Sequence, residues 1–381
     1  MLIVGGGVAG LSTAVALATH KIPSLVLEAR TRRDRSDKGD VLHESSIRLL
    51  EKWGLFEALL DRGPVRISTF QVLDERGTEL LRFDFARDLV PPARVLALQH
   101  TQIEELLETA AVSTGYVEVQ RGVTVRDLVI ADGRVIGAAT ANGTVTADLV
   151  ILAHGRFGRL GRHLFRPRRQ HDYSVRFYNL HGRYQGTAPM GTYVLGRHGL
   201  LVFVPLPRDE IRIGVQWRYR KGDAHLDAVA LLGIIAHRLA TFSIERFEVR
   251  SLQVYPLISF LLESFWTRGA AVVGDAAHTV HPAGGQGMNL AFQDAETLAD
   301  MLANLTESAG WSPASLDHTL NLYSRQRIKE IRPVFRRTHA LGLIGSLEGR
   351  LTSFATRHAL QLLDHLPRFR RQLFARVAEV R

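Results

Sequence analysis

The amino-acid sequence predicts an α/β protein. A parallel sheet with its helices is interleaved with a mostly antiparallel β-sheet and followed by a helical C-terminal segment. Three observations predict this. A short apolar strand at the N-terminus runs into a glycine-rich turn and a helix. A second apolar strand near residue 270 runs into another glycine-rich loop and another helix. The stretches between them alternate apolar and polar residues and are punctuated by turns.

The composition is that of an ordinary globular chain, with 46% hydrophobic and 23% charged among 381 residues. Disorder and low-complexity repeats are excluded on that ground. The chain has no cysteine, which removes disulfides, thiolate nucleophiles and Cys-ligated zinc or iron–sulfur centres. No apolar run reaches the roughly 18 residues of a membrane span. Met1-Leu2-Ile3-Val4 passes directly into Gly5, so no signal peptide is expected and the expected location is cytoplasmic. The net charge of +10 gathers in short clusters at residues 30–35, 166–169 and 368–371. These are scattered along the chain with acids between them and form no single stripe, so no nucleic-acid partner is expected; a phosphate-bearing cofactor or a solvated surface accounts for them.

The first motif orders strand, glycine turn, helix, strand and acid. Leu2-Ile3-Val4 is a buried-strand run, Gly5-Gly6-Gly7-Val8-Ala9-Gly10 follows, residues 11–19 suit a helix, and Leu25-Val26-Leu27 ends in Glu28. Gly5 permits the tight turn, Gly7 the close approach of a pyrophosphate, and Gly10 the close packing of helix on strand. The pyrophosphate would sit on the helix N-terminus, where free N–H groups and the dipole favour an anion. Glu28, 18 residues after Gly10, is placed to accept from an adenosine ribose hydroxyl, which favours FAD or NAD over NADP. A glycine-rich turn with no ligand is the plain alternative, and strand, helix and acid in register argue against it. The unit reads as a Rossmann-like dinucleotide-binding domain.

The second motif begins with the strand 270–273. It continues as Gly274-Asp275-Ala276-Ala277-His278-Thr279-Val280-His281-Pro282-Ala283-Gly284-Gly285-Gln286-Gly287-Met288-Asn289, and a helix is expected over 289–302. With this stretch the sequence resembles the FAD-dependent monooxygenases of the aromatic-hydroxylase type, which include p-hydroxybenzoate hydroxylase and the ubiquinone-pathway hydroxylases. Residues 274–289 follow that family's pattern GD-x-A-H-x-x-x-P-x-x-G-x-G-x-N.

The resemblance implies a set of roles. Gly274 opens the loop and Asp275 binds a ribityl hydroxyl of FAD. Pro282 and the backbone around Gly285 and Gly287 lie against the isoalloxazine ring, with the His281 side chain beside them as a pocket residue. The helix start at Met288 and Asn289 aims its positive end at the ring edge that becomes anionic on reduction, which is electrostatically sound in itself. Arg30 and Lys38 join the cofactor contacts, Lys38 standing where the family commonly has Arg. The reaction implied uses NADPH or NADH as co-substrate and molecular oxygen, passes through a flavin C4a-hydroperoxide, and hydroxylates an aromatic or polyketide-like small molecule.

One stretch departs from the family. In residues 149–162, Gly155 and Arg162 fit the family's central motif, but His154 replaces an Asp and Gly158 a Ser. A hydrogen-bond acceptor has become an imidazole that donates or carries charge. Either the change is tolerated drift or the handling of NAD(P)H differs. A reductase or halogenase-like flavoenzyme stays open because such enzymes share the first motif, and the altered motif at His154 keeps a non-catalytic FAD-binding scaffold open as well. The four tryptophans at 53, 217, 266 and 311 form no halogenase-type W-x-W pair.

Strands are expected at 67–73, 79–85, 173–184, 192–195, 199–204, 211–219 and 247–255, with a helix over 223–242 on the far side of their sheet. Phe70, Phe203, Trp217 and Tyr255 are the candidate substrate-pocket residues, with ordinary core packing as the alternative for each. In 211–219, Ile211, Ile213, Val215 and Trp217 share one face, which puts Arg212 and Arg218 on the other. His278 and His281 lack the further ligands a metal needs, so no metal is expected. From Ser315 the chain reads as helical and basic until Pro367. The terminal Leu373, Phe374 and Val377, beside Arg370, Arg371 and Arg376, suit packing on the protein itself or peripheral membrane contact. The expected division is an FAD-binding domain over 1–64, 99–165 and 262–330, a substrate-binding sheet domain over 65–98 and 166–261, and a helical region over 331–381.

Overall fold

Leu2–Val4 is a strand with every side chain buried, as an apolar run between two parallel neighbours requires. It pairs in parallel with Ser24–Glu28 and with Val150–Leu152. Ala270–Val272 and Val117–Arg121 extend the parallel sheet, and Trp266–Thr267 closes one edge antiparallel. Both motif strands therefore flank Val150–Leu152. The two glycine loops and the turn carrying His154 all leave from the carboxyl ends of neighbouring parallel strands, where ligands bind in such sheets. The structure, a computed structural model, describes residues 1–32, 40–185, 190–196, 199–219, 222–239, 242–308 and 310–346, and 358–360, 366, 371, 372 and 375 beyond them.

Helix Val8–Thr19 is almost wholly buried, its alanines allowing close approach of the sheet and of helix Gly287–Ser308. The latter begins two residues before the expected start and runs past residue 302. A three-stranded antiparallel sheet over Val125–Ala131, Arg134–Thr140 and Gly143–Thr146 stands where no strands are expected from sequence. Its first turn, Asp132-Gly133, has positive φ at both residues (50° and 71°), the Asp-Gly hairpin signal of a two-residue turn.

The second large sheet has eight strands, in the order His278–Thr279, Phe247–Leu262, Pro167–Tyr184, Glu210–Arg218, Gly199–Leu206, Gly191–Gly196, Thr69–Asp74 and Glu79–Asp84. All neighbours are antiparallel except Gly191–Gly196 with Thr69–Asp74. Its two faces differ in chemistry. One carries Tyr178, Leu180, Phe203, Ile211, Ile213 and Val215, which pack under helix Ala228–Arg238. That helix starts later than expected because the Asp227 carboxylate caps it, accepting from the Ala230 N–H at 2.8 Å. The other face carries Asn179, Arg212 and Tyr255 and looks towards the glycine loops.

Helix Pro313–Ser346 ties these parts together from beneath. The Tyr323 hydroxyl donates to the Val272 carbonyl at 3.2 Å, and the Ser324 hydroxyl accepts from the Phe265 N–H at 2.9 Å. Arg327 Nε donates to Asp294 Oδ1 at 2.7 Å. The other Asp294 oxygen accepts from the Gly274 N–H at 2.8 Å and lies 2.5 Å from His278 Nε2. Burial alone would push the Asp294 carboxyl up; the charges of His278 and Arg327 override it and hold the group below its ordinary value. Further along the helix, Thr338 backs Gly284 and Gly342 lies against the His281 ring. Among the described residues no helix is long and apolar enough to cross a membrane. The terminal residues 373, 374 and 377, and the arginines 370 and 376 beside them, lie outside the described residues.

Arg327 and Asp294 are 1% and 0% exposed. Removing one member of such a pair leaves an uncompensated buried charge. Arg327→Met is expected to lower unfolding free energy by about 3–5 kcal/mol, read from urea denaturation of the FAD-free protein.

Candidate functional site

Residues from both motifs line one cavity of about 900 Å³, near the upper end of what small-molecule and cofactor sites occupy. Gly5, Gly7, Glu28 and Arg30 line it from the first motif. Glu28 Oε2 accepts from the Gly6 N–H at 2.6 Å, and Oε1 accepts from Arg30 N and Nε at 2.9 and 2.8 Å. A carboxylate has about four acceptor sites, so one remains for a ligand hydroxyl. Burial alone would raise the Glu28 carboxyl; Arg30 and the Gly6 N–H bring it below its usual value, ionised at neutral pH. Arg30 is also held 3.5 Å from the buried Glu104, itself 3.3 Å from His100.

From the second motif come Asp275, Pro282, Gly285, Gln286, Gly287 and Met288. Pro282–Gly284 is a single 3-10 turn that ends at Gly285 with φ +60°, a conformation glycine adopts without strain. It delivers the chain to helix Gly287–Ser308, whose first turn has N–H groups without intrahelical acceptors. The antiparallel sheet closes the cavity with Asn179, Arg212 and Tyr255, and the turn after Val150–Leu152 adds His154 and Arg156. Arg156 stacks over the Tyr255 ring at 4.9 Å and lies 3.9 Å from Asp275.

The polar inventory of this cavity is incomplete without a ligand. Asn179 Oδ1, Arg156 Nη1 and Arg212 Nε are buried and have no hydrogen-bond partner among the described residues. Buried polar groups are ordinarily satisfied. A ligand with many hydroxyls, ring carbonyls and a pyrophosphate suits a cavity with a half-exposed carboxylate at Asp275, orphaned donors and a helix N-terminus.

A sequence profile of the family described as FAD binding domain matches residues 1–338. The chain belongs to that family, and it is an FAD-dependent monooxygenase. The 6-methylpretetramide 4-monooxygenase of Streptomyces rimosus is 26% identical over 308 residues, which cover 77% of this chain and 72% of that protein. Rifampicin monooxygenase of Streptomyces venezuelae is 28% identical over 377 residues, covering 89% and 70%. The p-nitrophenol 4-monooxygenase of Pseudomonas putida shares the fold, with a TM-score of 0.82 over 100% of this chain and 98% of that one at 20% identity.

Several residues expected to touch the cofactor or substrate of this flavoenzyme do other work. Gly10, grouped with the cofactor residues but expected to let helix pack on strand, does not line the cavity; a Cβ there would stand 1.8 Å from the Gly5 carbonyl oxygen, so it packs helix against turn. Gly274 lies against Ala9 of the first helix, where a Cβ would approach to 2.5 Å. Asn289 is fully buried and spent on the protein. Its Oδ1 accepts from His43 N–H and the Ser46 hydroxyl, and its Nδ2 donates to the Val41 and Gly285 carbonyls. His281 also faces away from the cavity, because its Nδ1 accepts the Ala283 N–H at 3.2 Å and turns the ring beneath the 3-10 turn, edge-on to Tyr173. Phe203 and Trp217 belong to the opposite face of the sheet, under helix Ala228–Arg238. Phe70 packs edge-on against Tyr193 at 4.7 Å. Of the four expected aromatics, Tyr255 alone is among the lining residues. Lys38 lies outside the described residues.

The two departures from the family motif are one structural event. A Cβ on Gly158 would stand 2.0 Å from His154 Nδ1, so the imidazole occupies the space a serine at 158 would need. Nδ1 and Nε2 of His154 lie 3.1 and 3.2 Å from the Gly155 and Leu160 carbonyls. A neutral ring donates to only one of these. Burial nevertheless lowers the His154 pKa, outweighing the two carbonyls that favour its proton.

Two outcomes follow from this geometry. Gly158→Ser is expected to lower Tm by several degrees, and His154→Asp in the same chain to recover most of the loss. The coupling energy expected is about 1–3 kcal/mol, measured as a double-mutant cycle by calorimetry. His281 titrates near pH 3 because burial disfavours its charge, helped by His339 and Arg156. The unfolded chain therefore binds a proton below about pH 6.5 that the folded chain refuses until about pH 3. That group costs about 1.4 kcal/mol of stability per pH unit as pH falls through this window. His281→Asn should flatten the pH dependence of urea midpoints between pH 6 and 4.5 by that amount.

Proposed function

We propose that this flavoenzyme uses NADPH or NADH and molecular oxygen to hydroxylate an aromatic or polyketide-like ring held between the Pro282–Gly284 turn and the polar face of the antiparallel sheet. The observation that supports it most is the single cavity lined by both glycine motifs and closed by Asn179, Arg212 and Tyr255. The relatives named above that act on 6-methylpretetramide and rifampicin support the substrate class.

In this reading residues 1–64, 99–165 and 262–330 hold FAD, residues 65–98 and 166–261 present the substrate, and 331–381 brace both. Gly5 and Gly7 give the pyrophosphate room beside the N-terminus of helix Val8–Thr19. Glu28 accepts from the ribose, with Arg30 fixing its carboxylate, and Asp275 accepts from the ribityl chain. The N-terminus of helix Gly287–Ser308 offers positive potential to the ring edge that gains charge on reduction. Bound FAD supplies the redox chemistry, oxygen activation and oxygen transfer. The protein's part is orientation and exclusion of water. Pro282 shapes the wall beside the ring, Tyr255 offers an aromatic surface braced by Phe177 at 5.5 Å, and Arg212 and Asn179 present a donor and an acceptor to ring oxygens of the substrate.

A second reading, in which electrons reach the flavin from a donor other than a nicotinamide nucleotide, rests on His154. Both are tested by following the visible spectrum of the FAD-loaded protein during anaerobic titration with NADH and then NADPH, with and without a hydroxylated aromatic ligand. Bleaching of the flavin band is expected from at least one nucleotide. A band that persists under every condition would overturn NADPH and NADH as the reductants in favour of another electron donor.

A further inference from the structure

Away from the cavity, four guanidiniums meet where strand Pro167–Tyr184 begins beside helix Pro313–Ser346. Arg168 and Arg169 come from the strand, and Arg332 and Arg336 from successive turns of the helix. Together they line a cleft of about 50 Å³ floored by Leu261 and Phe335. The cleft has room for one small oxyanion and not for a nucleoside. Desolvation and the charges of Arg168, Arg169 and Arg336 all lower the Arg332 pKa, so the four groups sense one another.

Several arginines elsewhere in this chain are matched by acids. Arg30 meets Glu28, Arg94 meets Glu44 and Glu51, Arg134 meets Asp317 and Arg327 meets Asp294. Among the described residues, none of the four arginines in the cleft forms an ion pair or hydrogen bond through its side chain. Like charges one helical turn apart oppose the helix that carries them. A chain that keeps two such arginines facing two more from a neighbouring strand stores repulsion that a doubly charged anion would relieve.

We propose that this cleft is a binding site for a phosphate-class dianion, recognised by guanidinium forks from two elements. Planar guanidiniums match phosphate oxygens two at a time. Because the donors come from both strand and helix, a bound dianion clamps helix Pro313–Ser346 onto the sheet, and binding stabilises the folded state by mass action. The phosphate has two possible sources, a soluble phosphate or the monoester headgroup of a lipid. The second has support from Leu341, Leu343 and Ile344 on the same helix, which are 42%, 48% and 40% exposed.

The test uses the FAD-loaded full chain. Thermal midpoints are measured against sodium phosphate and pyrophosphate, with sodium chloride at matched ionic strength as reference. Co-sedimentation is measured with phosphatidylcholine vesicles with and without phosphatidic acid. A saturable rise in Tm with phosphate or pyrophosphate identifies a soluble source, and sedimentation that requires phosphatidic acid identifies the headgroup. In either case Arg332→Gln/Arg336→Gln is expected to weaken binding about tenfold or more, the loss of about 1.4 kcal/mol or more of charge-assisted contact. Arg66→Gln, remote from the cleft, should change nothing. Should the double variant fold poorly, the exposed Arg336→Gln alone is read instead, with about threefold weakening expected. The proposal is overturned if neither probe exceeds its reference, or if the glutamine variants bind as the parent does.

Discussion

The buried carboxylate of Asp294 is the interaction on which the second glycine loop depends. It accepts from the Gly274 N–H, from His278 and from Arg327, and so fixes one end of the loop to helix Gly287–Ser308 and to the last long helix at once. A fully buried anion is tolerable only when its acceptors are satisfied and its charge is matched. Here the matching cation arrives from residue 327, more than thirty positions further on. Loop geometry, and with it the position of Asp275 and the 3-10 turn at Pro282, is therefore a tertiary property. Local sequence supplies the glycines; the distant arginine makes their arrangement the stable one.

The antiparallel sheet divides labour by face in the same way. Strand Glu210–Arg218 alternates Ile211, Ile213 and Val215 with Arg212, Gly214 and Gln216, and the period of two places the first set under a helix and the second over the loops. The apolar face supplies burial. The polar face carries groups that would be costly if left dry without partners, and it stands opposite the cofactor loops. A sheet with one greasy side and one hydrogen-bonding side can pack on its own helix and still present polar groups to the cavity opposite.

Much of this was legible in the sequence, and the misses share a cause. Strand, turn and helix order in both motifs reads directly from apolar runs and glycines, and Glu28 reads from its spacing. The strands of the large sheet read from alternation and turn residues, because half-burial imposes a period of two. Alternation states that two faces exist and not which faces the site, so Phe203 and Trp217 were expected in the pocket and lie behind it. Motif spelling equally does not separate residues that touch a ligand from residues that hold the motif in shape. Asn289, Gly274 and His281 belong to the second kind, spent on His43, Ala9 and Ala283. Arg156, Arg212, Asn179 and Glu104 were not singled out for the site. The signal available for Arg212 was a cation in the interior of an otherwise apolar strand, and for Glu104 an acid at a helix position that packing buries. The pairing of His154 with Gly158 needed side-chain volumes to be seen as one substitution.

Helix Pro313–Ser346 has a consequence for how the protein comes into being. The first motif is made well before the loop at 274–289, yet Arg327, Tyr323, Thr338 and Gly342 must still emerge before that loop has its final support. Until they do, Asp294 has only His278 and the Gly274 N–H and lacks the guanidinium that matches its charge. The nascent chain can form its first glycine turn early, but the second loop gains its full support only once residue 342 has been made. Support for the second glycine loop thus comes after both glycine motifs, and a product that carried both motifs without the last helix would lack the guanidinium and the hydroxyl that hold the 274–289 region in shape.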